Sequence, residues 1–326
     1  MDYSNNETLN NYKNVVEDKI AIIAKSSRPS SLYDPVRHAV GGGGKRLRPV
    51  IVLAACEAAG GNPEDAIDAA VAVELLHTFT LVHDDIMDKD TLRRGRETVH
   101  KKWNSSAAIL AGDAILVLAY QSLMRTKGDK IKSIVNVFND GILGVCEGQA
   151  LDIELEQKEE VSNLEYMEMI EKKTGMMIAM AAGIGAIIGG AETDDVEKFK
   201  AFGLELGNAF QLQDDYLEIT STKSKMGKSL GSDLVKGKKT FLLINALKLA
   251  NTEQNKELSA ILNKEDILRV DLIRVGEIFQ EIGVFDLTRK LIEKSIAIAL
   301  SNLEFIDVDA RKNLVEITGM VESRES

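Results

Sequence analysis

Two stretches of the sequence carry carboxylates in one pattern: Asp84-Asp85-Ile86-Met87-Asp88 and Asp214-Asp215-Tyr216-Leu217-Glu218. Each follows an apolar run, Ala70 to Val82 and Phe202 to Leu212, that reads as helix. At about 100° per residue, the first and fifth acids of each stretch stand some 40° apart on one helix face, so each helix end offers a two-carboxylate claw. Like charges four apart cost roughly 0.2–0.5 kcal/mol per pair in an exposed helix, and a helix C-terminus disfavours anions further. A cation offsets that cost. Oxygen-only donor sets select magnesium or a similar hard ion, which in phosphate chemistry is held through a few carboxylates plus substrate oxygens. One acidic pair alone reads as ordinary solvated surface; two similar claws imply several ions gripping one polyphosphate.

Basic and glycine-rich segments supply the complement. His77 lies about 20° from Asp84 on the helical wheel, so imidazole and claw share a face, although a lone histidine in an apolar helix also reads as core. Gly41-Gly42-Gly43-Gly44-Lys45 is not a nucleotide loop, because the Walker pattern needs Gly at 39 and Ser or Thr at 46, where Ala39 and Arg46 stand. Gly227-Lys228-Ser229 fails similarly, with Thr222 at the earlier position. The glycines before Lys45 let backbone approach a phosphate beside Lys45 and Arg48.

The elements that must position these groups are helices. With 4 Pro in 326 residues and apolar positions at three-and-four spacing, the chain is expected to be all-α. Helices are expected near 8–24, 31–39, 47–59, 64–88, 103–121, 128–151, 160–171, 174–189, 194–219, 239–249, 267–283 and 284–299. They predict one large bundle over 1–326 with a central cavity between the two acidic helices. The connections are short, punctuated by Gly, Asn, Asp or Ser, and unlike interdomain linkers. The acidic stretch 301–326 is expected to be loosely held.

Composition narrows the classes. With 40 basic and 51 acidic residues, the net charge is −11, which argues against a nonspecific nucleic-acid binder. Cys56 and Cys146 have no metal-ligand spacing and read as buried thiols of a reducing compartment. The polar, acidic start lacks a secretory pattern, and Met176 to Ala191, rich in Gly and Ala, is shorter than the ~20 residues a membrane span needs. A cytoplasmic protein without a transmembrane segment is expected.

On the two aspartate-rich motifs the chain resembles the trans-type isoprenyl diphosphate synthases, the family that includes farnesyl and geranylgeranyl diphosphate synthases. Further matching blocks occur in family order: Gly44-Lys45-Arg46-Leu47-Arg48-Pro49, Arg93-Arg94-Gly95, Lys173-Thr174-Gly175, Gly207 to Gln211, Gly227-Lys228 through Asp233, and Gly237-Lys238-Lys239-Thr240. The departure is Glu218, where the family more often has Asp. The resemblance implies three magnesium ions, with Asp84, Asp88 and Asp214 binding directly and Asp85, Asp215 and Glu218 partly through water or as supports. It also implies that Lys45, Arg48, His77 and Arg94 hold isopentenyl diphosphate without metal. Arg93, Lys173, Lys228 and Lys238, with Thr174 and Gln211, are then the clamp on the allylic diphosphate (dimethylallyl, geranyl or farnesyl).

Product length is expected to be set along the helix before Asp84. Thr80 lies one turn back and Leu76 two turns back, roughly 12 Å down the helix. Periodicity alone makes Phe79 a core residue. In the family this position lines the product tunnel, and an aromatic here followed by a small polar residue resembles the archaeal geranylgeranyl type. A twenty-carbon product is therefore expected, with farnesyl diphosphate as the alternative. A terpene cyclase would not need the metal-free pocket, and a noncatalytic subunit of a heteromeric prenyltransferase would be marked by loss of a claw. The resemblance also implies a homodimer.

Overall fold

The computed structural model describes residues 3–23, 25, 28–220, 234, 237–264 and 267–324. Their regular structure is helical apart from one short hairpin. The first half comprises α1 (Glu7–Ile23), α2 (Ser30–Val40), α3 (Leu47–Ala58), α4 (Ile67–Met87), β1 (Leu92–Arg93), β2 (Arg96–Glu97), α5 (Val99–Lys102), α6 (Ser105–Leu123) and α7 (Ile131–Glu156). After α8 (Asn163–Ile170) a π-helical turn, Glu171–Gly175, leads into α9 (Met176–Gly189) and α10 (Thr193–Thr220). The carboxyl-terminal part holds α11 (Phe241–Leu249), α12 (Thr252–Leu262), α13 (Arg269–Glu281), α14 (Val284–Ser301) and α15 (Val308–Glu322).

The core is built around helices that are apolar on all sides. α4 is buried continuously from Ala69 to Leu76, and the one acid in that stretch, Glu74, is neutralised by the buried Arg46 at 2.5 Å. α9 is built from Ala, Gly, Ile and Met alone, and at its glycines the neighbouring helices approach backbone to backbone. A Cβ on Gly185 would overlap the Val52 carbonyl of α3, and one on Gly189 would lie 2.5 Å from the Cys56 carbonyl. Across the helix, a Cβ on Gly203 of α10 would lie 2.6 Å from the Ile178 carbonyl. α4 with its lead-in turn, and α6, are long and apolar enough to cross a membrane by length and composition alone. α4 is instead the core helix, whereas α6 buries one face and leaves Ile109, Leu110 and Val117 exposed on the other.

Most expected helices are present, with shifted ends. Three differences have physical causes. The stretch 301–326 was expected to be loosely held, yet Val308–Glu322 is a helix that buries Leu314, Ile317 and Val321, an i, i+3, i+7 face that its acidic composition obscures. Thr252–Leu262 is a mostly polar helix started by a reciprocal Asn251/Gln254 cap. The hairpin 92–97 is too short for strand periodicity; Arg94 and Gly95 turn it with positive φ of 53° and 73°. Of the two cysteines, Cys56 is buried as expected, but Cys146 is exposed on α7.

Candidate active site

α4 delivers Asp84 and Asp85 in its last turn and ends on Asp88. Asp85 turns inward, is buried, and accepts from Arg93 Nε at 2.6 Å, which ties the hairpin to the helix end. Asp84 lies 4.0 Å from Lys173 Nζ. Burial raises the Asp84 carboxyl above the usual carboxylate range, and Asp88 adds to the rise against the opposing charges of Lys173, Arg93 and Lys238. A further cation would stabilise the ionised form.

The two expected lysines meet on a residue the motifs did not include. Lys173 Nζ donates to Asp152 Oδ2 at 2.7 Å, and Lys238 Nζ reaches the same oxygen at 3.4 Å and Asp88 Oδ2 at 3.4 Å. Burial would raise the Asp152 carboxyl, but the two ammonium groups outweigh it and hold it below the usual range. Local geometry explains the meeting. Gly148 of α7 lies against the backbone of Lys172 and Lys173, where any Cβ would overlap, and the π turn at 171–175 sits at that contact. One turn along α7, Asp152 faces the ammonium of Lys173. Lys238 is placed by the turn before α11, whose Thr240 side chain caps the helix. The sequence holds only the spacing Gly141, Gly144, Gly148, a close-approach stripe ending one turn before Asp152, which Glu154 and Glu156 on the same helix keep from standing out.

The second claw is organised by a polar chain. Thr174 Oγ1 donates to Gln211 Oε1 at 2.9 Å, Gln211 Nε2 donates to Asp215 Oδ1 at 2.9 Å, and Tyr166 donates to Asp215 Oδ2 at 2.5 Å. Asp215 is thus a buried support. Asp214 instead meets the carboxyl-terminal arm: Arg324 Nη1 donates to its Oδ1, the guanidinium lies 4.8 Å from the Phe210 ring centroid, and the Arg324 carbonyl accepts from Gln213 at 3.0 Å. Burial raises the Asp214 carboxyl, partly countered by Arg324, Lys45 and Arg48. Arg324 belongs to the stretch 301–326, expected from the sequence to be loosely held.

The basic pocket forms where α3 crosses α4. Arg48 Nη1 lies 3.3 Å from His77 Nε2. Burial, then the surrounding guanidinium groups, hold the His77 imidazole well below its ordinary value, so it is neutral at physiological pH. Burial also brings Arg48 down to about 10, and its Nε is buried without a hydrogen-bond partner. Arg94 closes the pocket by donating to the Gly43 carbonyl. Lys45 is exposed as a residue, but partial desolvation of its ammonium and the charge of Arg324 lower its pKa. An orphaned guanidinium N–H among uncompensated cations is a site for an anion that brings its own oxygens.

Along α4, Leu76 is fully buried, Thr80 returns its hydroxyl to the His77 carbonyl at 2.8 Å, and Phe79 is half-buried with its ring centroid 4.6 Å from that of His83. Among the described residues no three His, Cys, Asp or Glu side chains converge into a metal cage. Each claw supplies only carboxylate oxygens, here engaged by Lys173, Lys238 and Arg324, a donor set that suits magnesium ions taking their remaining ligands from a diphosphate and water. Lys228 lies outside the described residues, so its expected role is untouched by this geometry.

A sequence profile described as polyprenyl synthetase matches residues 29–275. A short chain isoprenyl diphosphate synthase of Methanothermobacter thermautotrophicus is 37% identical over 98% of this chain and 98% of the relative. A geranylgeranyl diphosphate synthase of Saccharolobus solfataricus is 38% identical over 93% of this chain and 91% of its own. Among solved structures, a geranylgeranyl pyrophosphate synthetase from Pyrococcus horikoshii superposes with TM-score 0.90 at 34% identity, covering 98% of this chain and 99% of that one.

Proposed function

We infer the reaction of this chain from the family to which it belongs, the polyprenyl synthetases, together with the geometry of its two claws. It is a short-chain trans-prenyltransferase, and we propose geranylgeranyl diphosphate as its product, made from isopentenyl diphosphate and an allylic diphosphate. The observation that carries the reading is the arrangement of cations. Lys173 and Lys238 are tethered between the first claw and Asp152, while Arg48, His77 and Arg94 form a second cationic pocket, whose Arg48 lies near enough to Asp214 to counter the burial of its carboxyl.

Asp84 and Asp88 on α4, and Asp214 with Glu218 on α10, would hold magnesium, with Asp85 and Asp215 as their buried supports. Bound there, the ions would neutralise charge that grows on the allylic diphosphate as its carbon–oxygen bond breaks. Lys173, Lys238 and Arg93 add preorganised positive charge to the same leaving group, stabilising it more as charge accumulates. Arg48, neutral His77, Arg94 and Lys45 hold the isopentenyl diphosphate and fix its double bond beside the allylic carbon. The new carbon–carbon bond forms there, and the proton lost from the isopentenyl part passes to the departed diphosphate, which the broken carbon–oxygen bond leaves with the charge to accept it. The growing chain extends along α4 toward Phe79.

Purified protein incubated with magnesium, isopentenyl diphosphate and each allylic primer is expected to yield a dominant twenty-carbon diphosphate by mass spectrometry. No condensation with any primer would overturn the reading. Replacing Asp152 by Asn keeps the shape but releases both lysines from their shared counter-charge. Steady-state kinetics should then show kcat/KM for the allylic substrate falling by about 10- to 100-fold, the scale of losing a group that orients a site.

We further propose a homodimer through the exposed apolar face of α6 and α7. Ile109, Leu110 and Val117 on one helix and Leu143 on the other are exposed apolar side chains that a second copy of the chain can cover. Leu143→Glu combined with Val117→Glu is expected to shift the sedimentation equilibrium from dimer to monomer. Two free thiols, one exposed on this face, fit a cytoplasmic location.

A further inference from the structure

The hairpin that carries Arg93 to Asp85 bears more positive charge than the site consumes. From Lys89 to Lys102 there are six cations, Lys89, Arg93, Arg94, Arg96, Lys101 and Lys102, against two acids, Asp90 and Glu97, in a chain of net charge −11. Arg93 is engaged with Asp85 and Asp90, and Arg94 with the Gly43 carbonyl. Arg96 and Lys102 are exposed, and neither forms an ion pair with a carboxylate among the described residues, the neighbouring Glu97 included.

Their heads nonetheless converge on one atom. Arg96 Nη2 lies 3.0 Å and Lys102 Nζ 3.5 Å from His38 Nδ1. The other ring nitrogen, Nε2, lies 2.7 Å from the Glu97 carbonyl, which can only accept, so the proton sits on Nε2 and Nδ1 offers a lone pair. Burial, together with the charges of Arg96 and Lys102, outweighs the raising effect of the Glu97 carbonyl and carboxylate and lowers the imidazole pKa, in keeping with that neutral form. Trp103 backs the group, its ring edge-on to His38 at 5.3 Å and 5.0 Å from Lys102 Nζ. One lone pair thus serves two exposed cationic heads, neither of which is closed into an ion pair by a carboxylate among the described residues. An anion supplies what is missing.

The cluster is also joined to the metal-free pocket. Arg96 Nη1 donates to the Gly41 carbonyl at 2.9 Å while Arg94 donates to the Gly43 carbonyl, so the Gly41–Gly44 turn is gripped from both sides. Gly43 and Gly44 have φ of 68° and 141°, backbone that other residues resist, and Lys45 follows directly.

We propose that His38, Arg96 and Lys102 form a second, surface phosphate site that takes a diphosphate ester without metal. It holds such an anion across the Gly41–Gly44 turn from the pocket of Arg48 and Arg94, a placement that rests on the function inferred above. The guanidinium fork supplies paired charge-assisted bonds and the ammonium a point charge. In an acidic chain this local field raises the concentration of anionic substrate where it must enter.

Calorimetric titration with inorganic diphosphate in the presence of a chelator tests this, because the claws then hold no metal. The wild-type chain is expected to bind a diphosphate in the pocket and a second at the surface. Lys102→Gln, which leaves the Arg96–Gly41 bond in place, should weaken the second event about tenfold, and Arg96→Gln with Lys102→Gln should remove it. The double variant should also lower kcat/KM for isopentenyl diphosphate at low salt and flatten its salt dependence. Retention by wild type, but not by the double variant, on phosphatidic acid vesicles would assign the same phosphate chemistry to a lipid headgroup. Unchanged stoichiometry and unchanged vesicle retention in the double variant would overturn the proposal. Arg48→Gln separates the two readings: if it leaves the pocket event intact, the inferred function fails while the surface site stands.

Discussion

Asp84→Asn is expected to lower turnover by at least about a thousandfold, because it removes one carboxylate charge from the first claw while nearly preserving its shape. Asp214→Asn should do the same at the second claw. The fold should survive. A carboxyl whose folded-state pKa lies above its unfolded value stabilises the protein while protonated and loses that contribution as pH rises through the folded value. Asp84 and Asp214 are both raised by burial, so at neutral pH their ionised forms weigh against the metal-free fold. Each Asn variant should therefore melt no lower than wild type in chelator, and the gap between them should close as pH falls below the carboxylate range. Magnesium should raise the melting temperature of wild type more than that of either variant. Magnesium-dependent turnover that persists unchanged in Asp84→Asn would remove the claw from the mechanism.

Phe79→Ala is expected to shift the product distribution beyond twenty carbons, read by mass spectrometry of the dephosphorylated alcohols. The ring is half-buried on α4, packed on His83, with fully buried Leu76 below it. Deleting it opens volume in the direction in which the prenyl chain grows. Retained turnover with an unaltered distribution would return Phe79 to the role of core residue that its position on the wheel indicates.

Residues whose type and spacing are local were legible in the sequence. The two claws could be read because five consecutive positions fix their geometry, and the apolar faces of α4, α9 and α10 follow from helical periodicity. Lys173, Thr174 and Gln211 were found through the resemblance, and their geometry adds the chain that runs from Thr174 through Gln211 to Asp215. Asp152 was not legible, because a single acid in an acidic helix carries no pattern; only the π turn and the glycine contact at Gly148 bring Lys173 to it. Arg324 was missed because charge was weighed above periodicity in the last helix, whose apolar face at Leu314, Ile317 and Val321 carries the arm back to Asp214. Tyr166, which supports Asp215 from α8, is a contact between distant segments that no spacing announces.

The glycine seams on either side of α9 constrain how this protein can diverge. Along Gly185 and Gly189 toward α3, and from Gly203 and Gly207 of α10 toward α9 and the π turn before it, main chain touches main chain, so there is little side-chain volume to exchange. Such a spine must be inherited unaltered. Only where Met176 and Met180 fill the space beside Gly144 and Gly141 does α9 offer adaptable side chains, and methionine is the residue most tolerant of reshaping. Lineages that lengthen or shorten the product are therefore expected to record their changes on α4, α6 and α7, leaving the three-helix spine as the part of the sequence by which distant descendants can still be aligned.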